Sequence, residues 1–227
     1  MSMKLLAIEA ATEACSAAVL VGEEVVETYQ LAPRQHNELL LPMCEQVLAE
    51  AGVSLSQLDA IAYGCGPGAF TGVRIAAGVA QGIAFAHDLP AAAVSTLANL
   101  VCQANAKPGA VILPAIDARM DEVYWAVYRK ISEHTAEQLL PEKVQAPESI
   151  DTGEYPVACG VGSGWQTYSG VLQNKLALDV DKLDPAALPR AKTTALIGRQ
   201  KVLSRELTDA LNILPVYLRD KVTHKKS

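Results

Sequence analysis

One stretch constrains this chain more than any other: residues 64–82, which read GCGPGAFTGVRIAAGVAQG. It follows a short aliphatic run at 60–63 and leads into an amphipathic segment, 73–86, that Leu89 and Pro90 end. Strand, glycine turn and helix start in that order can present backbone N–H groups to an anion. Gly64-x-Gly66-x-x-Ala69 even fits the dinucleotide spacing, but that chemistry needs an acidic residue about 20 positions on to hold a ribose. The next strand, 91–94, runs into Ser95 instead. The structural reading fits better. Gly66-Pro67-Gly68 makes a tight turn with a positive-φ residue, and Thr71 is placed to cap the helix. Gly78 and Gly82 lie four apart on one helix face, where each costs roughly 1 kcal/mol relative to alanine. Such a loss is tolerated where another backbone packs closely, either the protein's own sheet or a partner helix.

The chain has 227 residues, enough for two compact lobes, and 50% of it is hydrophobic with few aromatics. Its net charge is −6, which argues against autonomous binding of RNA or DNA, since such proteins present a basic face to phosphates. The N-terminal apolar run is broken at Glu9 and reads as a first strand, not a signal peptide. No run approaches the ~20 apolar residues that span a bilayer, so no membrane is expected. Cys15, Cys44, Cys65, Cys102 and Cys159 are scattered and show no Cys-x-x-Cys pairing. Free thiols in a cytoplasmic protein are the expectation.

Strands are expected at 4–8, 17–21 and 25–31, forming an antiparallel meander with a tight turn at Gly22-Glu23. A helix follows, ending near Ala51 with Gly52 just past it. Leu40, Cys44, Val47, Leu48 and Ala51 share its apolar face, while Leu39, Met43 and Gln46 form a second, partly apolar one. Pro42 either starts the regular part of this helix or bends it. After the glycine segment come a strand at 91–94 and a helix at 95–105 with Ser95 as its cap. Lys107-Pro108-Gly109 then punctuates the chain, and a smaller echo begins. It has strands at 110–116, 123–129, 139–144 and 157–161, a DARMD turn, a short helix near Glu148, a helix at 193–207 and an extended 215–218. The KVTHKK tail reads as a frayed basic end. The order points to an α/β fold of the actin/hexokinase-like (ribonuclease H-like) duplicated type. Its first lobe is 1–106, and its second, smaller and degenerate lobe is 107–227.

Carboxylates close the first strand of each lobe, Glu9 and Asp117. In actin-like phosphotransferases an Asp-x-Gly turn there brings amides to ATP phosphates and a carboxylate to magnesium. The turns here read Glu9-Ala10-Ala11-Thr12 and Asp117-Ala118-Arg119, without the glycine that permits close phosphate approach. They are degenerate phosphate turns. His36, His87, His134 and His224 never share a helix turn, and the GVGSG run misplaces its serine for a nucleophile elbow. No metal, catalytic residue or cofactor is therefore expected. His36 is read as an exposed residue before the first helix. Arg74 is available to bind a carboxylate across an interface.

The segments IEAATEACSAAV, QHNELLLPM, GCGPGAFTGVRIAAGVAQGIA, PAAAVSTLANL, AIDARMDEVYWAVY, GVGSGWQ and PVYLRDKV together closely resemble the TsaB (YeaZ) family. The resemblance implies an actin-like scaffold related to TsaD, which installs threonylcarbamoyl on the adenosine next to the anticodon of tRNAs reading ANN codons. TsaD-type enzymes carry an Asn-His-x-x-x-His run whose histidines hold a metal. Thr96 and Leu100 stand at those positions here, and neither replaces imidazole. The resemblance therefore implies a pseudo-enzyme that binds and activates TsaD, with a TsaE-like ATPase as a further partner. It also implies a homodimer when the chain is alone, and tRNA contact only through the complex. The implied partner face holds Leu39, Met43, Gln46, Ile75, Gly78 and Gly82, with Arg74 beside them. Two departures stand out: Ile8-Glu9-Ala10-Ala11 for the usual Ile-Asp-Thr-Ala, and Cys65 where an arginine is common. The enzyme-class alternative is an actin-like kinase or a glycoprotease-like peptidase.

Overall fold

The computed structural model describes residues 2–219, and the KVTHKK tail lies outside them. β1 (Lys4–Glu9), β2 (Ala14–Val21) and β3 (Glu24–Leu31) form the antiparallel meander. Gly22 makes its turn at a φ of +63°. Helix α1 (His36–Glu50) leads to β4 (Ala60–Gly66), α2 (Phe70–His87), β5 (Ala91–Ser95) and α3 (Thr96–Gln103). β4 and β5 add parallel to β1, so the sheet order is β3-β2-β1-β4-β5.

The second half repeats the plan. β6 (Val111–Arg119), β7 (Glu122–Lys130) and β8 (Ala136–Gln145) form a second meander. β9 (Cys159–Val161) and β10 (Leu183–Asp184) add parallel beyond β6. The order β8-β7-β6-β9-β10 matches the first sheet strand for strand, which is the actin/hexokinase-like duplication. The second copy is reduced: its fourth and fifth strands have three and two residues, and a 3-10 turn at Pro147–Ser149 stands where the first copy has α1. Helices α4 (Gly164–Thr167) and α5 (Ser169–Leu176) and strand β10 went unread in the sequence.

The first sheet is covered on both faces, so its strands are continuously apolar instead of alternating. Leu6, Ile8, Ala17 and Val19 pack with Leu40, Val47, Ala76 and Ala80 of α1 and α2. Leu5, Ala7, Leu20, Ala60 and Ala62 face the other way, toward Ala195 of α6 (Ala191–Ser204). A Cβ at Gly198 would stand 2.5 Å from that of Ala62, so α6 lies flush on the strands. The start of α6 is keyed by side chains of the first half. Ser16 Oγ accepts the Ala191 N–H at 2.9 Å, and Asn99 donates to Arg190 O and Thr194 Oγ1. Residues 191–204 thus cover the first sheet, although the boundary expected near 107 assigns them to the second lobe.

Three further details bear on the sequence reading. Pro42 sits inside α1 on its exposed side, so it does not start the helix. His36 is buried, at 7% exposure, with Nε2 3.2 Å from the Ala14 carbonyl. It anchors the helix start to β2 instead of lying free. Helix α2 begins three residues earlier than its periodicity suggested, so Thr71 is an exposed residue within it. Ala69 is the N-cap, and no side chain caps it. Ser95 does cap α3, accepting from Leu97 N and Ala98 N at 3.1 and 3.2 Å.

Candidate functional site

Helices α1 and α2 lie side by side on one face of the first sheet. Gly78 and Gly82 are exposed on the outer side of α2, and a Cβ at either would meet nothing within 4 Å. Their small size is therefore not required by the protein's own sheet. Phe85, 70% exposed, shares that side, and Ile75 is half-buried at its edge. On α1, Gln46 is exposed and donates to Glu50 Oε1 at 2.8 Å, and Leu39 is half-buried. Met43 departs from the expected face: at 6% exposure it packs into the core with Leu40 and Val47.

The glycines at the start of the segment serve a different purpose. A Cβ at Gly68 would collide with the Ala11 carbonyl, and one at Gly72 with that of Ala10. Gly66 adopts φ +104°, and its peptide with Pro67 is cis. The turn after β1 is thus pressed onto the N-terminus of α2, where Ala69 N donates to Ala11 O at 2.7 Å. One amide at that end, the Ala69 N–H, is thereby taken by a peptide carbonyl.

Glu9 bonds within the same turn. Its side chain is fully buried, with Oε1 accepting the Ala11 N–H at 2.9 Å and Oε2 3.4 Å from Thr194 Oγ1. The absent side chain of Gly64 is what makes room for this carboxylate. Burial pushes its pKa up to about 7, with the Ala11, Ala10 and Thr194 hydrogen bonds opposing. Thr12 is buried beside it, with Oγ1 3.5 Å from Ala14 N. In the second lobe, Asp117 also turns onto its own hairpin. It accepts from Arg119 N at 2.8 Å and from the Arg119 guanidinium at 2.9 Å. Glu9 and Asp117 therefore occupy their turns instead of offering them.

Two groups escaped sequence reasoning. Phe70 and Tyr217 flank Arg74, whose guanidinium carbon lies 3.1 Å from the Phe70 ring centre and 4.8 Å from that of Tyr217. Both phenylalanines of the chain are on α2 and exposed, a signal visible only once the helix register is known. Between the lobes, Glu142 of β8 accepts from Ser95 Oγ at the end of β5 and from Tyr128 Oη, the latter at 2.8 Å. Burial raises the pKa of Glu142, and the two hydroxyls oppose that rise. All five cysteines are free, and burial pushes the Cys65 thiol up to about 12, which disfavours its thiolate.

Comparison with known proteins gives a consistent set of relatives. The profile of a family described as "TsaD: tRNA N6-adenosine threonylcarbamoyltransferase" matches residues 23–227. The tRNA threonylcarbamoyladenosine biosynthesis protein TsaB of Haemophilus influenzae is 39% identical, over 99% of this chain and 97% of its own length. The Escherichia coli protein of the same name is 40% identical, over 99% and 98%. A solved Pseudomonas aeruginosa structure, described as an uncharacterized protein with similarity to peptidase YEAZ, superposes with a TM-score of 0.86 at 42% identity, covering 96% of this chain and 100% of that one. A second, described as YeaZ from Pseudomonas aeruginosa, gives 0.85 at 41%, over 95% and 100%. Among the described residues, no helix is long and apolar enough to cross a membrane.

Proposed function

Because this chain belongs to the TsaB (YeaZ) family, we propose that it works in tRNA threonylcarbamoyladenosine biosynthesis as a non-catalytic subunit that docks and activates a TsaD-type enzyme. The observation that carries this reading is the open face of α2, where Gly78 and Gly82 leave space that none of the described residues fills. Glycine inside an exposed helix costs stability, and a partner helix that approaches the bare backbone offsets the cost. Ile75, Arg74 and Phe85 on α2 and Leu39 and Gln46 on α1 are exposed or half-buried and would complete this face. In the absence of the enzyme a second copy of this chain takes the same face, giving a homodimer.

The closed turns at Glu9 and Asp117 support the non-catalytic part. Both carboxylates bond within their own turns, and one amide at the start of α2, that of Ala69, is already bonded. Docking completes the active arrangement of the TsaD-type enzyme, which transfers threonylcarbamoyl to the adenosine next to the anticodon in tRNAs reading ANN codons. A TsaE-like ATPase joins the assembly, tRNA is engaged through it, and the work takes place in the cytoplasm.

The test is reconstitution. Purified TsaD-type enzyme, TsaE-like ATPase, threonylcarbamoyl donor and tRNA are assayed with and without this chain. Transfer is expected to depend on its presence, and equal transfer in both arms overturns the reading. ATP hydrolysis or proteolysis by the isolated chain, lost on Asp117→Asn, would overturn its non-catalytic part.

A further inference from the structure

A cavity of about 460 Å³ lies where the C-terminal end of α3, the β7–β8 hairpin and the start of α6 meet. That size suits a small molecule. Ala106 and Leu196 give it an apolar wall, and its charged lining is Lys130, Glu133 and Lys192. His134 lines it as well.

Lys130 is the unusual member. It ends β7 and is buried, at 5% exposure, where a lysine is rare unless paired. Its Nζ donates to Cys102 O at 3.0 Å and to Ala104 O at 2.6 Å, so it caps the last carbonyls of α3. Those carbonyls take two of its three protons and offset only part of its charge. Among the described residues, no carboxylate lies within ion-pair distance of Lys130 or of Lys192, which is exposed at the rim. A buried cation without a counter-ion is costly, and an anion that reaches it gains a charge-assisted hydrogen bond.

His134 gives an independent sign. Its Nδ1 is buried and has no hydrogen-bond partner among the described residues. Leaving such an atom unbonded costs stability, which a ligand with an acceptor oxygen recovers. The two lysines against Glu133 leave the lining with a single positive charge in excess. That balance favours one carboxylate over a phosphate dianion, and the apolar wall favours an organic body behind it.

We propose that this cavity binds a small organic acid, its carboxylate meeting Lys130 and His134 inside and Lys192 at the rim, its body lying against Ala106 and Leu196. Residues 102–106 come from the first half of the chain and residues 130–134 from the second, so the bound acid bridges the two. The cavity shares no residue with the α2 face, so loss of either leaves the other standing.

The test is fluorine NMR of 4-fluorobenzoate with the full chain, and of 4-fluorobenzamide as its uncharged counterpart. The acid should bind saturably and at least about tenfold more tightly than the amide. Imidazole resonances of His134 should shift with the same midpoint, while those of His36 and His87 stay. Lys192→Ala, at an exposed position, should fold normally and weaken binding roughly threefold or more. Lys130→Met should abolish binding, provided circular dichroism shows that it folds without its cap on α3; where it does not fold, Lys192→Ala decides. No saturable binding, equal binding of the amide, a silent His134 or unchanged affinity in Lys192→Ala overturns the site, and Lys130 is then a helix cap alone.

Discussion

The carboxylate of Glu9 fills the space that a side chain on Gly64 would take. Glu9 ends β1 and Gly64 lies within the neighbouring β4, one supplying the buried acid and the other the room for it. This pairing accounts for a glycine in mid-strand that neither a phosphate nor a partner requires, and it fixes the electrostatics of the turn.

Glu9 should make stability depend on pH. Its pKa rises from 4.5 to about 7 on folding, so the folded state holds the proton more tightly. The associated stability is fully present below pH 4.5 and is lost as pH rises to 7. Glu9→Gln should remove that slope and raise stability at pH 8 by up to about 3 kcal/mol. Urea unfolding across this range checks it. Gly64→Ala should instead destabilise the protein by about 1–3 kcal/mol through overpacking.

Gly82→Leu separates folding from docking. The position is exposed and open, so the variant should fold and gain up to about 1 kcal/mol from better helix propensity. Its affinity for a TsaD-type enzyme should fall at least tenfold, which titration calorimetry would measure. Unchanged affinity in a folded variant means that the docking face lies elsewhere.

Tyr128→Phe tests the contact between the lobes. It leaves the half-buried Glu142 with Ser95 as its remaining side-chain donor, at a cost of about 1–3 kcal/mol. Because burial raises the pKa of Glu142, its contribution is present at low pH and lost as pH climbs through that raised pKa. Removing the Tyr128 donor, which lowers the pKa, should move the loss to higher pH. Thermal melts over a pH series read both effects.

Arg219→Ala probes the hairpin between β6 and β7. Arg119, Met120 and Asp121 all have positive φ, near +60°, a conformation that costs non-glycine residues energy. Arg219 steadies this turn through the Ala118 and Arg119 carbonyls and Glu122. Its loss should cost about 1 kcal/mol, a figure kept small by partial exposure of the ion pair. Amide exchange should quicken at residues 118–122 and at Val216, whose bond to Cys65 anchors the same segment.

What was legible in the sequence was what local chemistry decides. Gly22 and Gly52 mark their turns because only a bare backbone takes φ +63° cheaply, and Ser95 caps α3 because its hydroxyl meets two free amides. The duplicated strand order followed from the repeated meander and its punctuation. What failed depends on distant segments. Met43 reads as an edge residue until the sheet beneath α1 is placed, and His36 looks exposed until β2 offers its carbonyl. Thr71 fits a cap pattern, but the helix starts earlier, where the turn after β1 presses upon it. The Phe70–Arg74–Tyr217 stack joins residues far apart in the chain, and no spacing rule foretells it.

The position of α6 has a consequence for synthesis. The helix that covers the second face of the first sheet belongs to the last part of the chain, so Leu5, Ala7, Leu20, Ala60 and Ala62 stay without their cover while residues 107–190 emerge from the ribosome. The first lobe cannot finish before the second has been made. A chain cut short before Ala191 leaves an apolar sheet face bare, making truncated products targets for proteolysis and chaperones instead of half-functional lobes.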